Sequence, residues 1–208
     1  MNKGGPTKLG ITLIVLTVAA ILIGAVVWAG SGLLGTEQTQ TKLSDAQQLL
    51  AHPTDKTSVR MEIRGPITAQ ENHYVIAATV AQNSRNITAW QGYNGRVVAN
   101  QTFDNSPGAF ADFMAVIQRQ NFMNSQSSSL KTDGICANGQ LLSFQIFDGE
   151  KKVGDLWSDS CGDTGTYAGN TAAIGIILDQ IPNSRNTISD VKSKIGGEFS
   201  GVGNIFAL

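Results

Sequence analysis

The hydrophobic pattern changes character several times along the chain. Between Lys8 and Glu37 there is no charged residue, and Leu9 to Ala29 reads LGITLIVLTVAAILIGAVVWA, apolar on every side of a helix. At ~1.5 Å rise per residue, about 20 such residues match the ~30 Å hydrocarbon core of a bilayer. Residues 9–34 are therefore predicted to form a transmembrane helix. Gly10, Gly24, Thr12 and Thr17 fit this reading, because a helix in lipid keeps its backbone hydrogen bonds internal. Trp28 falls where an interfacial aromatic is expected. Lys3 and Lys8 precede the run, whereas the first charge after it is Glu37 and the first lysine is Lys42. The positive-inside rule then places residues 1–8 in the cytoplasm and residues 35–208 outside the cell.

Other readings of the same run fit less well. A cleaved signal peptide has an apolar region of only about 7–15 residues; Val27-Trp28-Ala29 is a passable cleavage site, so cleavage stays open as the alternative. No Cys follows the run to make a lipoprotein. A pilin-like assembly helix is similar in its short basic leader, but that family usually carries an early Glu that is missing here. A buried core helix would need a polar face somewhere.

After the apolar run, residues 35–57 turn polar and rich in Gln, Thr and Ser, which predicts a stalk. Leu43, Ala46, Leu49 and Leu50 have helical spacing within it, Ser44 or Asp45 can cap the start, and His52-Pro53 ends it. His52, alone in that stalk, reads as a solvated side chain. From Ser58 the period becomes two. Val59, Met61 and Ile63 alternate with Arg60, Glu62 and Arg64, and Tyr74, Ile76, Ala78 and Val80 alternate in a second strand. Two more strands, Ile87 to Tyr93 and Arg96 to Phe103, flank Asn94-Gly95, a pair that accepts positive φ at both positions of a two-residue hairpin turn. A further hairpin is expected at Asp148-Gly149, between the alternation of Leu142, Phe144 and Ile146 and a return strand from Val153 to Ser158.

Two helices follow from period 3.6. Ser106 and Pro107 make a good N-cap and first position, and Phe110, Phe113, Met114 and Ile117 form one stripe that reads as sheet packing. Asn170 can cap a second helix with Ile174, Ile177, Leu178 and Ile181 on its apolar side and Pro182 after its end. Residues 183–208 read as a loose tail with one weak helical pattern at Ile188, Val191 and Ile195. The fold class expected is α+β: an N-terminal transmembrane helix plus a small antiparallel sheet with two helices packed on one face, the extracytoplasmic domain spanning residues 58–182.

Composition narrows the chemistry. Charged residues are 15 % of the 208, and Ser, Thr, Asn and Gln together number 61, so the surface is polar but weakly charged. A net charge of −1 argues against nucleic acid as a partner, since such binders carry a basic field. With two His and two Cys, metal and histidine chemistry is poorly supplied, and no cofactor motif is present. Cys136 and Cys161 are expected to form a disulfide outside the membrane. Their index sum equals that of Asp148 and Gly149, as for cross-strand neighbours in a two-residue hairpin. A bridge closing about 25 residues contributes roughly 3.5 kcal/mol in the loop-entropy picture. The acids Asp148, Asp155, Asp159 and Asp163 lack the spacing of a calcium loop and read as turn and cap residues. His73, just before a strand, has no partner His. Asn86-Ile87-Thr88 and Asn100-Gln101-Thr102 are formal glycosylation acceptors. The best binding surface is the hairpin bearing Trp90, Tyr93, Arg85 and Arg96, residue types enriched at interface anchors; packing of Trp90 and Tyr93 against a neighbouring strand is the competing reading.

The runs VRMEIRGPI and NSRNITAWQGYNGRVV, the Phe-containing helix, GIC before a strand, and LWSDSCG before a helix ending in QIP resemble proteins of Saccharibacteria-type ultrasmall bacteria. The resemblance covers about residues 58–182. It implies one N-terminal membrane helix and a small extracytoplasmic domain with a Cys pair. That group has no assigned activity, so no functional residue carries over. The element order is also similar to that of small secreted protease inhibitors of the emfourin kind. The functional expectation is a single-pass, membrane-anchored domain that binds or scaffolds a protein or polymer at the cell envelope and is not an enzyme. The alternative is an envelope enzyme or a protease-inhibitor-like domain.

Overall fold

A computed structural model of the chain describes residues 44–195. The N-terminus expected in the cytoplasm, the predicted transmembrane helix, the first part of the predicted stalk and residues 196–208 of the tail lie outside the described residues. Among the described residues no helix is long and apolar enough to cross a membrane.

The fold is α+β, built on a six-stranded antiparallel sheet. Its strands are β1 (Thr57–Arg64), β2 (Tyr74–Ala81), β3 (Ser84–Gln91), β4 (Arg96–Asp104), β5 (Leu141–Asp148) and β6 (Lys151–Asp159), in the order β4-β3-β2-β1-β5-β6. β1 and β2 are the two middle strands, and the strict alternation in β1 gives it one buried face. Val59, Met61 and Ile63 are fully buried on one face, with Met61 opposite Ala78 of β2 and Phe144 of β5. Arg60, Glu62 and Arg64 stay half-buried on the other face.

Where two helices were expected to cover one face, four are present among the described residues: α1 (Asp45–Ala51), α2 (Pro107–Arg119), α3 (Ala172–Asp179) and α4 (Ser184–Ile195). The width of the sheet explains the difference. Six strands at ~4.8 Å spacing measure roughly 24 Å from first to last, and helices pack about 10 Å apart, so two would leave apolar strand surface bare. The helix of the stalk and the helix of the tail fill that gap. α1 is held by a capping box, Gln47 N donating to Ser44 Oγ and Ser44 N to Gln47 Oε1. Its Ala46 and Leu50 join the core, over Gly154 of β6, where an added Cβ would lie 2.8 Å from that of Ala46. α4 contributes Ile188, Val191 and Ile195. The core thus draws on residues to either side of 58–182.

α2 and α3 follow the sequence reading closely. Ser106 Oγ accepts from Ala109 N, Phe110, Phe113, Met114 and Ile117 are buried, and Asn121 at φ 54° ends α2 in the left-handed region. Asn170 Oδ1 accepts from Ala172 N at the start of α3.

Both hairpins are real, but neither turn is where its two-residue cue puts it. β3 and β4 pair Gln91 with Arg96, leaving a four-residue turn, Gly92 to Gly95. The two glycines take the positive φ values, 72° and 70°, and Asn94 does not. β5 and β6 pair Asp148 with Lys151, so the tight turn is Gly149-Glu150, with Gly149 at φ 59°. Each ladder also contains one bulge, at Ala89/Trp90 and at Ile146/Phe147.

The disulfide between Cys136 and Cys161 is present, with a Cα–Cα distance of 5.6 Å. It is not the cross-strand pair that the index sum implies, because the turn and bulge shift the register. The ladder continues past the strand ends through Ser160 N donating to Gln140 O. A tight turn, Gly139 N donating to Cys136 O with Cys136 at φ 51°, then folds Cys136 back over Gly139 to reach Cys161. A Cβ on Gly139 would collide with both sulfurs and with Ser160 Oγ, so glycine is required beneath the bridge.

Candidate functional site

The helices occupy one face of the sheet, and the other face carries the chemistry. Trp90 lies there on β3, opposite Val75 of β2, which is in turn opposite Arg64 of β1. The Arg60 guanidinium reaches diagonally from β1 to a point 5.9 Å from the Trp90 ring centroid, a cation–π distance. The short side chain of Ala77 on the intervening strand leaves room for that reach. Arg60 Nη2 is fixed by Glu62 Oε2 at 3.0 Å, while its buried Nε has no hydrogen-bond partner among the described residues.

The far wall comes from the β3–β4 turn. Tyr93 stacks on His73, with ring centroids 4.1 Å apart and planes 10° from parallel, and its hydroxyl donates to Thr68 O. His73 is itself buried, its Nδ1 3.0 Å from Pro66 O. Arg60, His73, Val75, Trp90 and Tyr93, with Gly92 and Gly95, line an open pocket of about 350 Å³. On the other side of Gly92, a cleft of about 700 Å³ is lined by Gln70, Glu71, Gln91, Asn94 and Arg96. Arg96 Nη2 donates to Gln91 Oε1, and Gln91 Nε2 donates to Glu71 O, so this cleft is walled by amides, a carboxylate and a guanidinium.

Of the four residues predicted to share one surface, three surround the hairpin tip and one does not. Trp90 is half-buried, Tyr93 is 55 % exposed and Arg96 is exposed. Arg85 sits at the other end of β3 and on the helix face, in register with Val80. Its guanidinium donates to Gln180 O and Asp104 O, closing the end of α3 onto the sheet. The period of two separates Arg85 from Trp90, since odd and even positions of one strand point to opposite faces. Sequence reasoning missed His73 and Arg60. His73 falls opposite Gly92 only once the β2–β3 register is known, and Arg60 lies two strands away from Trp90.

Of the acids read as turn and cap residues, Asp159 acts so, whereas Asp155 lies within β6 and accepts from Lys152 Nζ and from Gln145 Nε2 across the ladder. Asp159 Oδ1 accepts from the backbone N–H of Cys161, Gly162 and Asp163, organising the turn after β6. Cys136, Asp159 and Cys161 lie together, but the two sulfurs are bonded to each other and offer no thiolate. A second polar cluster closes the helix side near the bridge. Lys192 of α4 donates to Gln140 Oε1 at 3.2 Å, and Gln140 Nε2 donates to Tyr74 Oη at 2.8 Å. Burial lowers the Lys192 pKa to about 8 and raises that of Tyr74, the latter partly offset by the Gln140 contact.

No protein-family model matches the chain, and no curated protein matches it.

Proposed function

We propose that this domain is a binding module, held at the outer surface of a membrane by residues 9–34, that captures an envelope protein or polymer through the part of its sheet around Trp90, on the face away from the helices. The observation that carries this reading is the Trp90 pocket. A half-buried indole, a stacked Tyr93–His73 pair and the Arg60 guanidinium converge on an open hollow that the helices leave free. Aromatic walls with a few placed polar groups are the usual make-up of a recognition site, and Trp, Tyr and Arg are the residue types that most often dominate binding energy. The neighbouring amide-rich cleft extends the same surface around the hairpin tip. The uncharged run before Glu37, with Lys3 and Lys8 ahead of it, supports the anchor and its orientation. The likeness of residues 58–182 to membrane-anchored Saccharibacteria-type proteins supports the same placement.

Trp90→Ala tests the reading, with Arg85→Ala as its control. Full-length protein in detergent, immobilised and challenged with envelope extract, should lose about 2 kcal/mol of capture with Trp90→Ala, roughly 30-fold. Because Trp90 is only half-buried, its stability cost should stay below about 1.5 kcal/mol. Arg85→Ala removes a guanidinium from the other face and should leave capture unchanged. Equal capture by Trp90→Ala and the parent protein would overturn the assignment of the site.

A further inference from the structure

Strand register turns two separated triplets of the sequence into one tile. Asn86-Ile87-Thr88 lies on β3 and Asn100-Gln101-Thr102 on β4, and the ladder sets Asn86 opposite Thr102 and Thr88 opposite Asn100. Ile87 is buried toward the helices, so these four side chains stand on the face that carries Trp90. Thr79 of β2, opposite Asn86, adds a fifth. Asn100 and Thr102 are exposed, and the other three are half-buried. Thr88 Oγ1 donates to Asn100 Oδ1 at 3.4 Å, whereas the side chains of Asn86, Thr79 and Thr102 make no hydrogen bond to any described residue. None of the five is charged. Charge only borders the tile, at Asp104 two positions beyond Thr102 and at Arg60 opposite Thr79, where it is paired with Glu62.

We propose that the ligand of the Trp90 site is a neutral polysaccharide chain, laid along β3 with one sugar ring in the hollow of Trp90 and Tyr93 and the following rings over the Asn–Thr tile. The proposal rests on the binding reading given above and names its ligand. A sugar ring has two kinds of surface, and the tract supplies a match for both. The apolar C–H face packs on aromatic walls. In the hollow His73 covers one face of Tyr93, which is still 55 % exposed, and Val97 stands opposite Trp90 on the neighbouring strand. The ring hydroxyls both donate and accept, as do the amides and hydroxyls of the tile. Lengths agree as well: Asn86 to Trp90 is four steps of ~3.4 Å, about 14 Å, room for roughly three rings. Other polymers fit this tract badly. A nucleic acid needs a line of cations along its phosphates, and the tile carries none. A protein partner is anchored by apolar residues at the centre of the contact, whereas here Trp90, Tyr93 and Val97 stand at one end of a polar tract.

Envelope extract digested exhaustively with protease is the probe, used as competitor for capture by the full-length protein in detergent. The digested extract should compete as well as the untreated one. If digestion removes the competition while capture still depends on Trp90, the ligand is a protein, and the polysaccharide is overturned with the binding site left standing. Capture indifferent to Trp90→Ala overturns the site itself. Oligosaccharides released from the digested extract by partial acid hydrolysis, and sorted by size, then measure the tract. Affinity should climb up to about three rings and level off beyond. An Asn86→Ala, Thr102→Ala double variant should bind three-ring fragments about tenfold more weakly, because two hydrogen-bonding groups are gone. It should bind two-ring fragments as the parent protein does, which also shows that it is folded. Affinity that does not depend on ring number overturns the proposal, and so does a double variant that holds three-ring fragments as tightly as the parent protein.

Discussion

The β3–β4 and β5–β6 hairpins start from nearly the same cue, a glycine after Asn or Asp between alternating strands, and they end in different states. In β5–β6 the inward side chains are sealed. Phe144 and Ile146 have no exposure, and the Phe144 ring stacks on Tyr167 at 3.9 Å and meets Phe122 edge-on. The base is tied by the disulfide and the outer edge is sheathed. In β3–β4 only Ile87 and Ala89 are buried, β4 is exposed along most of its length, and the turn is a wide one. One hairpin is structural and the other is presented. Helix cover contributes to the difference: α1 packs against both β5 and β6, whereas Tyr93, Asn94 and Gly95 at the tip of β3–β4 are exposed.

The widest gap between the two should appear in core truncations. Phe144→Ala removes a ring packed on three sides and should cost about 3–5 kcal/mol in urea denaturation. Val97→Ala, on the exposed arm of the other hairpin, should change stability by less than about 0.5 kcal/mol. Similar losses from the two variants would mean that β4 is buried in the working protein. Next in size is the bridge. Cys136→Ser opens a loop of 25 residues and should cost up to roughly 3.5 kcal/mol. The loss should be read as a lower denaturation midpoint with the Trp90 pocket still intact. Capture that falls together with stability would show that the two hairpins are coupled.

Much of the fold was legible because it depends on local periodicity. The alternation of β1 and β2, the Ser106-Pro107 start and the phenylalanine stripe each state their own structure. The disulfide was expected on an argument that the structure corrects: the two cysteines meet through a turn over Gly139, not through hairpin register. A single bulge changes an index sum, and bulges leave little trace in sequence. α1 and α4 looked peripheral because their apolar positions are few. Only the width of the finished sheet shows that they are needed. The site was half legible for the same reason. Trp90, Tyr93 and Arg96 are close in sequence, but Arg60 reaches Trp90 only because β2 lies between β1 and β3, and strand order is a property of the whole chain.

A smaller effect should appear in pH at the base of the β5–β6 hairpin, where Lys192 meets Gln140. The native Lys192 pKa is lowered to about 8 from 10.5, so between those values the unfolded chain holds more protons and stability rises with pH. Below pH 8 both states are protonated and the burial cost is present in full. Solvent reaches this side chain, so the gain from pH 7.5 to 9.5 should be on the order of 1 kcal/mol. Above pH 10 the trend should reverse, because burial raises the pKa of Tyr74 and Tyr167, and the native state then resists losing their protons. Melting temperatures across pH 7–10 should show the rise, and Lys192→Met should flatten it. A flat profile in the parent protein would mean that Lys192 is as hydrated as the β3–β4 arm.

The finest distinction between the hairpins lies in their turns. A two-residue turn on Asn94-Gly95 would hold Asn94 at positive φ, and replacing it with Ala would then cost about 1 kcal/mol of backbone strain. In the four-residue turn the positive φ values belong to Gly92 and Gly95, so Asn94→Ala should be neutral to within about 0.5 kcal/mol. Gly149 is the opposite case. It sits at φ 59° with nothing within 4 Å of an added Cβ, so a side chain there meets no steric obstacle and only the backbone conformation resists it. Gly149→Ala should therefore cost about 1 kcal/mol with no change in packing. Denaturation midpoints for the two variants side by side give the answer. Equal losses would restore the two-residue turn at Asn94-Gly95, and with it a longer β3 that carries Tyr93 into the ladder and off the His73 ring.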